Sequence, residues 1–205
     1  MSILKPAAAI VAGLLMTLAA HAAPQIGQPA PDFSATDSNG KTIKLSDFRG
    51  KTVVLEWTND GCPYVKKHYS TDNMQTLQKE AAAKGIIWLT VISSAPGMQG
   101  YVTGEEANKL TQERGAAPAA VVLDPEGTAG HLYDARTTPH MFIVNGAGTL
   151  VYMGGVDDKA TTDTADIQTA RNYVRAALHN LAAGVPVEPA ITRPYGCAVK
   201  YKPAS

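Results

Sequence analysis

The sequence predicts an α/β fold: a central mixed β-sheet flanked by helices, followed by an irregular C-terminal tail. Three observations predict it. Two apolar, β-branched runs, residues 52–57 (T-V-V-L-E-W) and 86–92 (I-I-W-L-T-V-I), alternate with stretches of helical character, the rhythm of a parallel sheet. Residues 141–144 and 150–153 flank Gly146-Ala147-Gly148 as a hairpin, which adds antiparallel pairs at one edge. Residues 163–183 place Ile167, Ala170, Val174, Ala177, Leu178 and Leu181 on one face at 3.6-residue spacing, and Gly184 and Pro186 stop that helix.

The elements follow in order. Residues 29–33 (P-A-P-D-F) are an extended lead-in, Asn39-Gly40 is a turn, and residues 42–45 alternate as a short strand. The run at 52–57 reads as a central strand buried on both faces. After T-N-D-G-C-P, residues 64–84 suit helix, interrupted near 70–73, where Ser, Thr, Asp and Asn cluster. Cys62 therefore lands at a strand-to-helix junction. The strand at 86–92 precedes Thr103-Gly104-Glu105-Glu106, which has capping-box spacing at the head of a helix ending near Gly115. Residues 120–123 form a third strand, closed by Asp124-Pro125. Asp157-Asp158, after the hairpin, reads as a turn or cap.

The chain of 205 residues carries 18 Lys plus Arg against 18 Asp plus Glu, with no long run of either sign. This lacks the footprint of a nucleic-acid binder. Lys5, the apolar residues 7–20 and Ala20-His21-Ala22 have the form of a signal peptide and its cleavage site. Its apolar core, about 14 residues, is short of the roughly 20 needed to span a bilayer, and no later segment approaches that length. The expected organisation is a leader over residues 1–23, a single domain over 24–184 and a tail over 185–205 that carries Cys197. The mature protein is expected in the periplasm or secreted, with no membrane partner once the leader is removed.

Export changes how the cysteines are read. There are two, Cys62 and Cys197, and in an oxidising compartment such a pair is first a candidate disulfide. A bridge would close a loop of about 135 residues, for which chain entropy gives about 4 to 5 kcal/mol. A structural staple and a redox pair both remain open at this level. No His, Cys or carboxylate set has zinc spacing, so no metal and no cofactor is expected. His68, His131 and His140 read as packing or surface residues.

The motifs resemble a known family. A-P-D-F from Ala30, V-V-L-E-W-T-N-D-G-C-P-Y-V-K-K-H-Y around Cys62, and T-T-P from Thr137 resemble, in that order, the N-terminal signature, the active-cysteine segment and the cis-proline loop of the redoxin and alkyl hydroperoxide reductase–thiol-specific antioxidant (peroxiredoxin-like) family. The tail, R-P-Y-G-C-A-V-K-Y from Arg193, is similar to the end of a bacterial subfamily that pairs C-P-x-x-K-x-H with a late G-C-x-x-K. The resemblance implies a thioredoxin fold, a reactive Cys62, a cis bond before Pro139 with Thr138 in the same loop, and Cys197 as the resolving thiol. Val65 stands where a C-x-x-C dithiol protein has its second cysteine. Asn59 stands where peroxiredoxins place a peroxide-binding Thr. Arg136, beside the T-T-P loop, is the spatial candidate for that family's peroxide-polarising Arg.

Physical chemistry supports a cysteine at this junction. Unsatisfied N–H groups and the helix macrodipole favour an anion at a first turn, so the thiol pKa falls below its free value of about 8.5. Pro63 suits the first helical position, having no N–H to leave unpaired. Lys66, four residues on, is expected on the same face, where it would add positive charge; His68 points elsewhere, and Lys67 reads as part of a solvated helix face. Three function classes follow. The first is a thiol oxidoreductase that acts on a hydroperoxide or a protein disulfide and is recycled by a thiol reductant. The second is a non-catalytic binding module stapled by a Cys62–Cys197 disulfide. The third and weakest is a metal-delivery protein, which would need paired cysteines on one loop.

Overall fold

The computed structural model describes residues 23–203, so the expected leader lies outside the described residues except for Ala23. Strands β1 (Ser34–Asp37) and β2 (Thr42–Lys44) pair across the expected Asn39-Gly40 turn. Asp37 Oδ1 accepts from the N–H groups of Asn39 and Lys41 there, and Gly40 takes φ +81°, which favours glycine. Next come β3 (Val53–Trp57), α1 (Pro63–Ser70), α2 (Asn73–Ala83), β4 (Ile87–Ile92), α3 (Gly104–Glu113), β5 (Ala120–Leu123) and α4 (Thr128–Leu132). The chain ends with β6 (Thr137–Thr138), β7 (His140–Val144), β8 (Leu150–Gly154), α5 (Tyr173–Ala182) and β9 (Cys197–Ala198).

Among the described residues the main sheet runs β2-β1-β5-β4-β3-β7-β8, and β6 and β9 form a separate two-stranded ladder. The inner strands β3, β4 and β5 are parallel, and β7 and β8 continue the sheet antiparallel from β3, the expected thioredoxin arrangement. Antiparallel pairs close both edges, because β1 and β2 extend the sheet beyond β5. Residues 34–37, with no alternating apolar pattern, carry no strand signal in the sequence. The predicted break between α1 and α2 is present: Thr71 Oγ1 donates to Lys67 O at 2.8 Å and Asp72 turns the chain at φ +57°. The capping box on α3 is also present, with Thr103 N–H donating to Glu106 Oε2 at 2.7 Å and Glu106 N–H to Thr103 Oγ1 at 3.3 Å.

Two expectations need correction. The last helix begins at Tyr173, not near Asp163. Asp163 caps a separate 3-10 turn, Thr164–Gln168, and Asn172 caps α5 by accepting from Arg175 N–H at 2.8 Å, so two caps divide one apparent period. The tail is irregular over most of its length, as expected, but it is not merely draped. Met153 N–H donates to Ala190 O, Ala95 N–H to Lys200 O and Val199 N–H to Arg136 O, while Tyr195 is buried.

Every residue of β3 is buried, so its two faces belong to two cores. Leu55 and Trp57 join Phe33, Tyr133 and Phe142 on one side. Val54 joins Met74, Leu77, Trp88, Met141 and Val174 on the other, and that second core contains Cys62. Alternation also drives Glu56 into this apolar layer. It accepts from Tyr69 Oη and Trp88 Nε1 at 2.8 Å, and from Gln78 Nε2 and Thr90 Oγ1 at 3.3 Å. Burial raises its pKa, and the donors oppose that rise. Glu56→Ala leaves those donors buried and unpaired, at an expected cost of about 3 kcal/mol. Urea unfolding followed by circular dichroism will read this as a lower midpoint at unchanged slope.

Candidate active site

The site forms where the C-terminal end of β3 meets α1. Five residues bridge them, Thr58 to Cys62, and side chains hold this loop on both sides. Asn59 Oδ1 accepts from Gly61 N–H at 2.8 Å, its Nδ2 donates to Gln99 O at 3.1 Å, and its carbonyl accepts Cys62 N–H at 3.1 Å. Asp60 is ion-paired with Arg114, whose guanidinium also lies 4.6 Å from the Tyr69 ring centroid. The loop thus delivers Cys62 as the N-cap of α1, in extended conformation (φ −80°, ψ 122°), with Pro63 at the first helical position as expected.

Cys62 is 0% exposed. Its Sγ lies 3.0 Å from the carbonyl of Thr138, and the Thr138–Pro139 bond is cis, as the resemblance implies. Strand β6, which ends at Thr138, pairs antiparallel with β9 so that Thr138 faces Cys197 in register. The tail thus brings Cys197 onto Cys62 without joining them, since both thiols are free. Burial pushes the Cys62 thiol up, but the polar groups turned toward it, the Cys197 thiol, the Val65 and Cys197 N–H groups and Thr138, outweigh it and hold the pKa below the ordinary value. The Val65 N–H faces the sulfur without closing a full capping hydrogen bond. Cys197 moves the other way, pushed up to about 11 by burial, by its hydrogen bond to Cys62 and by the Cys62 charge, with Lys200 opposing.

Other sequence expectations change. Lys66 is exposed and is not among the groups acting on the thiol. The expected i, i+4 relation fails because Cys62 is the extended cap and not a residue of the helix. The buried face of α1 carries Val65, His68 and Tyr69, together with Lys67, whose Nζ donates to Lys159 O at 2.9 Å. Arg136 is exposed and ion-paired with Asp134, two residues earlier, so it is not turned to the thiol. Asn59, with both ends of its amide engaged by backbone, shapes the loop.

Sequence reasoning missed the residues that fasten the tail. His68 is fully buried; Asn73 Nδ2 lies 2.8 Å from its Nδ1, and Tyr195 Oη lies 3.1 Å from its Nε2. Tyr195 Oη donates in turn to Asp157 Oδ1, which also accepts Lys159 N–H at 2.9 Å, the turn role expected of Asp157. The signal lay in the i, i+3, i+4 stripe of 65, 68 and 69, and in the aromatic two residues before Cys197. Gly196, between Tyr195 and Cys197, takes φ +133°, and a Cβ there would lie 2.0 Å from Thr138 O. An open cleft of about 510 Å³ is lined in part by Tyr64 and Gly196, close in sequence to Cys62 and Cys197, and by Thr137 and Tyr173.

Residues 26–153 match the AhpC/TSA family. Over 125 residues the chain is 28% identical to the thiol-disulfide oxidoreductase ResA of Bacillus subtilis, covering 61% of this chain and 64% of that protein. A 32-residue stretch is 69% identical to peroxiredoxin 2 of Caldanaerobacter subterraneus, covering 16% of this chain and 14% of that one. The chain therefore aligns with less than two thirds of either relative's length. An uncharacterized conserved protein from Geobacillus kaustophilus has a similar solved structure, with a TM-score of 0.74 at 26% identity, covering 88% of this chain and 94% of that one.

Two outcomes are expected from the packing. Gly196→Ala should displace β9 from β6 and make Cys62, otherwise shielded, react with iodoacetamide at least tenfold faster, read by mass spectrometry under native conditions. His68 is held neutral, its pKa lowered from 6.5 to about 4 by burial and by Lys67, against Asp157. The unfolded chain then binds a proton between those values that the folded chain refuses, so stability falls as pH drops from about 6.5 to about 4, by about 3 kcal/mol at full effect. His140, buried and likewise lowered to about 4, adds to the same slope. His68→Gln should remove about half of it in urea titrations across that window.

Proposed function

Because the chain belongs to the AhpC/TSA family, we propose that it is a thiol–disulfide oxidoreductase in which Cys62 is the nucleophile and Cys197 the resolving thiol. The observation that carries this reading is the asymmetric placement of the two thiols: Cys62 is fully buried at the N-cap of α1, whereas Cys197 is half-buried on the tail strand that pairs with Thr138. A structural staple has no need of such an asymmetry. A nucleophile and its resolving partner do.

The chemistry proceeds in two exchanges. The Cys62 thiolate attacks one sulfur of a substrate disulfide; that S–S bond breaks, the departing sulfur leaves as a thiolate and takes a proton from solvent, and a mixed disulfide remains on Cys62. The charge and hydrogen bond that raised the Cys197 pKa are then gone, while Lys200 still lowers it. Cys197 releases its proton and its thiolate attacks Cys62 Sγ, forming the Cys62–Cys197 bond and freeing the second substrate thiol. The substrate has gained two electrons and two protons, and a thiol reductant returns the protein to the dithiol. The first exchange thus switches on the second.

Peroxide reduction is the less supported branch, since Asn59 and Arg136, the residues expected to meet peroxide, are engaged elsewhere. We read the protein as exported on the strength of the leader-like residues 1–23; among the described residues no helix is long and apolar enough to cross a membrane.

The test is trapping. Cys197→Ser with oxidised glutathione or insulin should accumulate a mixed disulfide at Cys62, whereas the parent chain yields the Cys62–Cys197 disulfide and free substrate thiols, and Cys62→Ser yields neither. A Cys197→Ser variant that gives a Cys62 sulfenate with hydrogen peroxide but no mixed disulfide would replace this reading with a peroxidase. A bridge below about −300 mV that never turns over would make it a staple.

A further inference from the structure

The ladder that presents Cys197 to Cys62 is two residues long on each strand. Isolated pairs this short have little stability of their own, so the position of Cys197 depends on what anchors the tail on either side. Downstream, Val199 N–H donates to Arg136 O at 3.0 Å, Tyr201 Oη donates to Ala135 O at 2.7 Å, and the Tyr201 ring stacks on His131 at 4.0 Å. These contacts reach the segment before β6. Upstream, the anchor is Tyr195, and it reaches α1 itself, the helix that Cys62 caps.

Tyr195 is 8% exposed, and its ring lies 5.9 Å from that of Tyr64, two residues after Cys62. Its hydroxyl sits between His68 Nε2 and Asp157 Oδ1. A phenol has one proton. Since Asp157 accepts it, His68 Nε2 must donate, and His68 Nδ1 is then the acceptor that the Asn73 amide requires. The chain of donors runs one way, from Asn73 through neutral His68 and Tyr195 to a carboxylate. Asp157 is 2% exposed and its Oδ2 has no partner among the described residues, so its side-chain pairing is concentrated on the oxygen that holds Tyr195 and Lys159.

We infer that Tyr195 is a positioning residue for the resolving thiol: the chain Asn73–His68–Tyr195–Asp157 docks the tail on the Cys62 helix, and Gly196 carries that placement directly to Cys197. The inference rests on the proposed role of Cys197. Without the Tyr195 hydroxyl, the reduced protein regains tail freedom that the disulfide form cannot, so the Cys62–Cys197 bond forms less readily. A purely structural residue would instead weaken both redox forms alike and leave their balance unmoved.

The experiment measures the Cys62–Cys197 equilibrium against glutathione, and the Cys62 pKa by thiolate absorbance, in the mature chain and in Tyr195→Phe. The expected result is a tenfold or greater loss in the equilibrium constant for the bridge, about 30 mV for a two-electron couple, together with a raised Cys62 pKa as the Cys197 donors withdraw. Asp157→Asn, which keeps an acceptor oxygen, should stay within threefold of the parent chain, and Asp157→Ala should fall with Tyr195→Phe. An equilibrium constant and a Cys62 pKa that are both unchanged in Tyr195→Phe, with the variant folded by circular dichroism, would overturn the inference. Should Tyr195→Phe fail to fold, the two Asp157 variants decide it, equal constants in both being the negative result. If the parent chain forms no Cys62–Cys197 bridge at all, the resolving role of Cys197 fails. The docking role is then judged on the Cys62 pKa alone.

Discussion

Thr138 contacts both cysteines, and the arrangement of the site depends on it. Its carbonyl lies 3.0 Å from Cys62 Sγ, its backbone pairs in register with Cys197, and its hydroxyl donates to Cys197 O at 3.4 Å. The cis bond that follows turns the chain from β6 into β7, and β7 is hydrogen-bonded to β3, the strand that leads to Cys62. One loop is thereby fixed to Cys62 through the sheet and to Cys197 through the tail. The close passage of Gly196 over the Thr138 carbonyl follows from the same constraint.

Burial and activation oppose one another at Cys62, and the local hydrogen bonds decide between them. A thiolate removed from water is destabilised, which by itself would leave Cys62 inert. Two features reverse this: the N-terminus of α1, whose Val65 N–H faces the sulfur, and the donors of the tail strand. Only the first is available to a helix alone. Most of the rest arrives with β9, so the tail both shields Cys62 and favours a thiolate there.

The same economy appears in the buried polar groups on the Cys62 side of the sheet. Glu56, His68 and Asp157 would each be costly in an apolar layer. Glu56 is surrounded by four donors, and His68 is kept neutral between an amide and a phenol. Asp157 is spent on Tyr195 and the Lys159 turn. These groups tie α1, α2, β4 and the tail together around the position of Cys62.

Much of this was legible in the sequence because it is encoded locally. The apolar runs of β3, β4 and β5, the hairpin glycines, the capping box at Thr103 and the break after Ser70 are short-range patterns, and they placed Cys62 at a helix N-terminus. The resemblance added the cis bond before Pro139 and the expectation of a late partner for Cys62, which the structure brings near as a free thiol. Local patterns misled where geometry changes at an element's end: Lys66 was assigned to the thiol by counting helical turns from a residue that is not in the helix, and α5 was started ten residues early because two caps share one period. The contacts of Tyr195 with His68, and of Cys197 with Thr138, join residues 127 and 59 positions apart. The sequence by itself determined the fold class and the position of Cys62 at a strand-to-helix junction, both products of local pattern. The tertiary structure alone decided which side chains surround that cysteine, because a hydrogen bond between distant segments depends on their packing and leaves no periodic trace in either one.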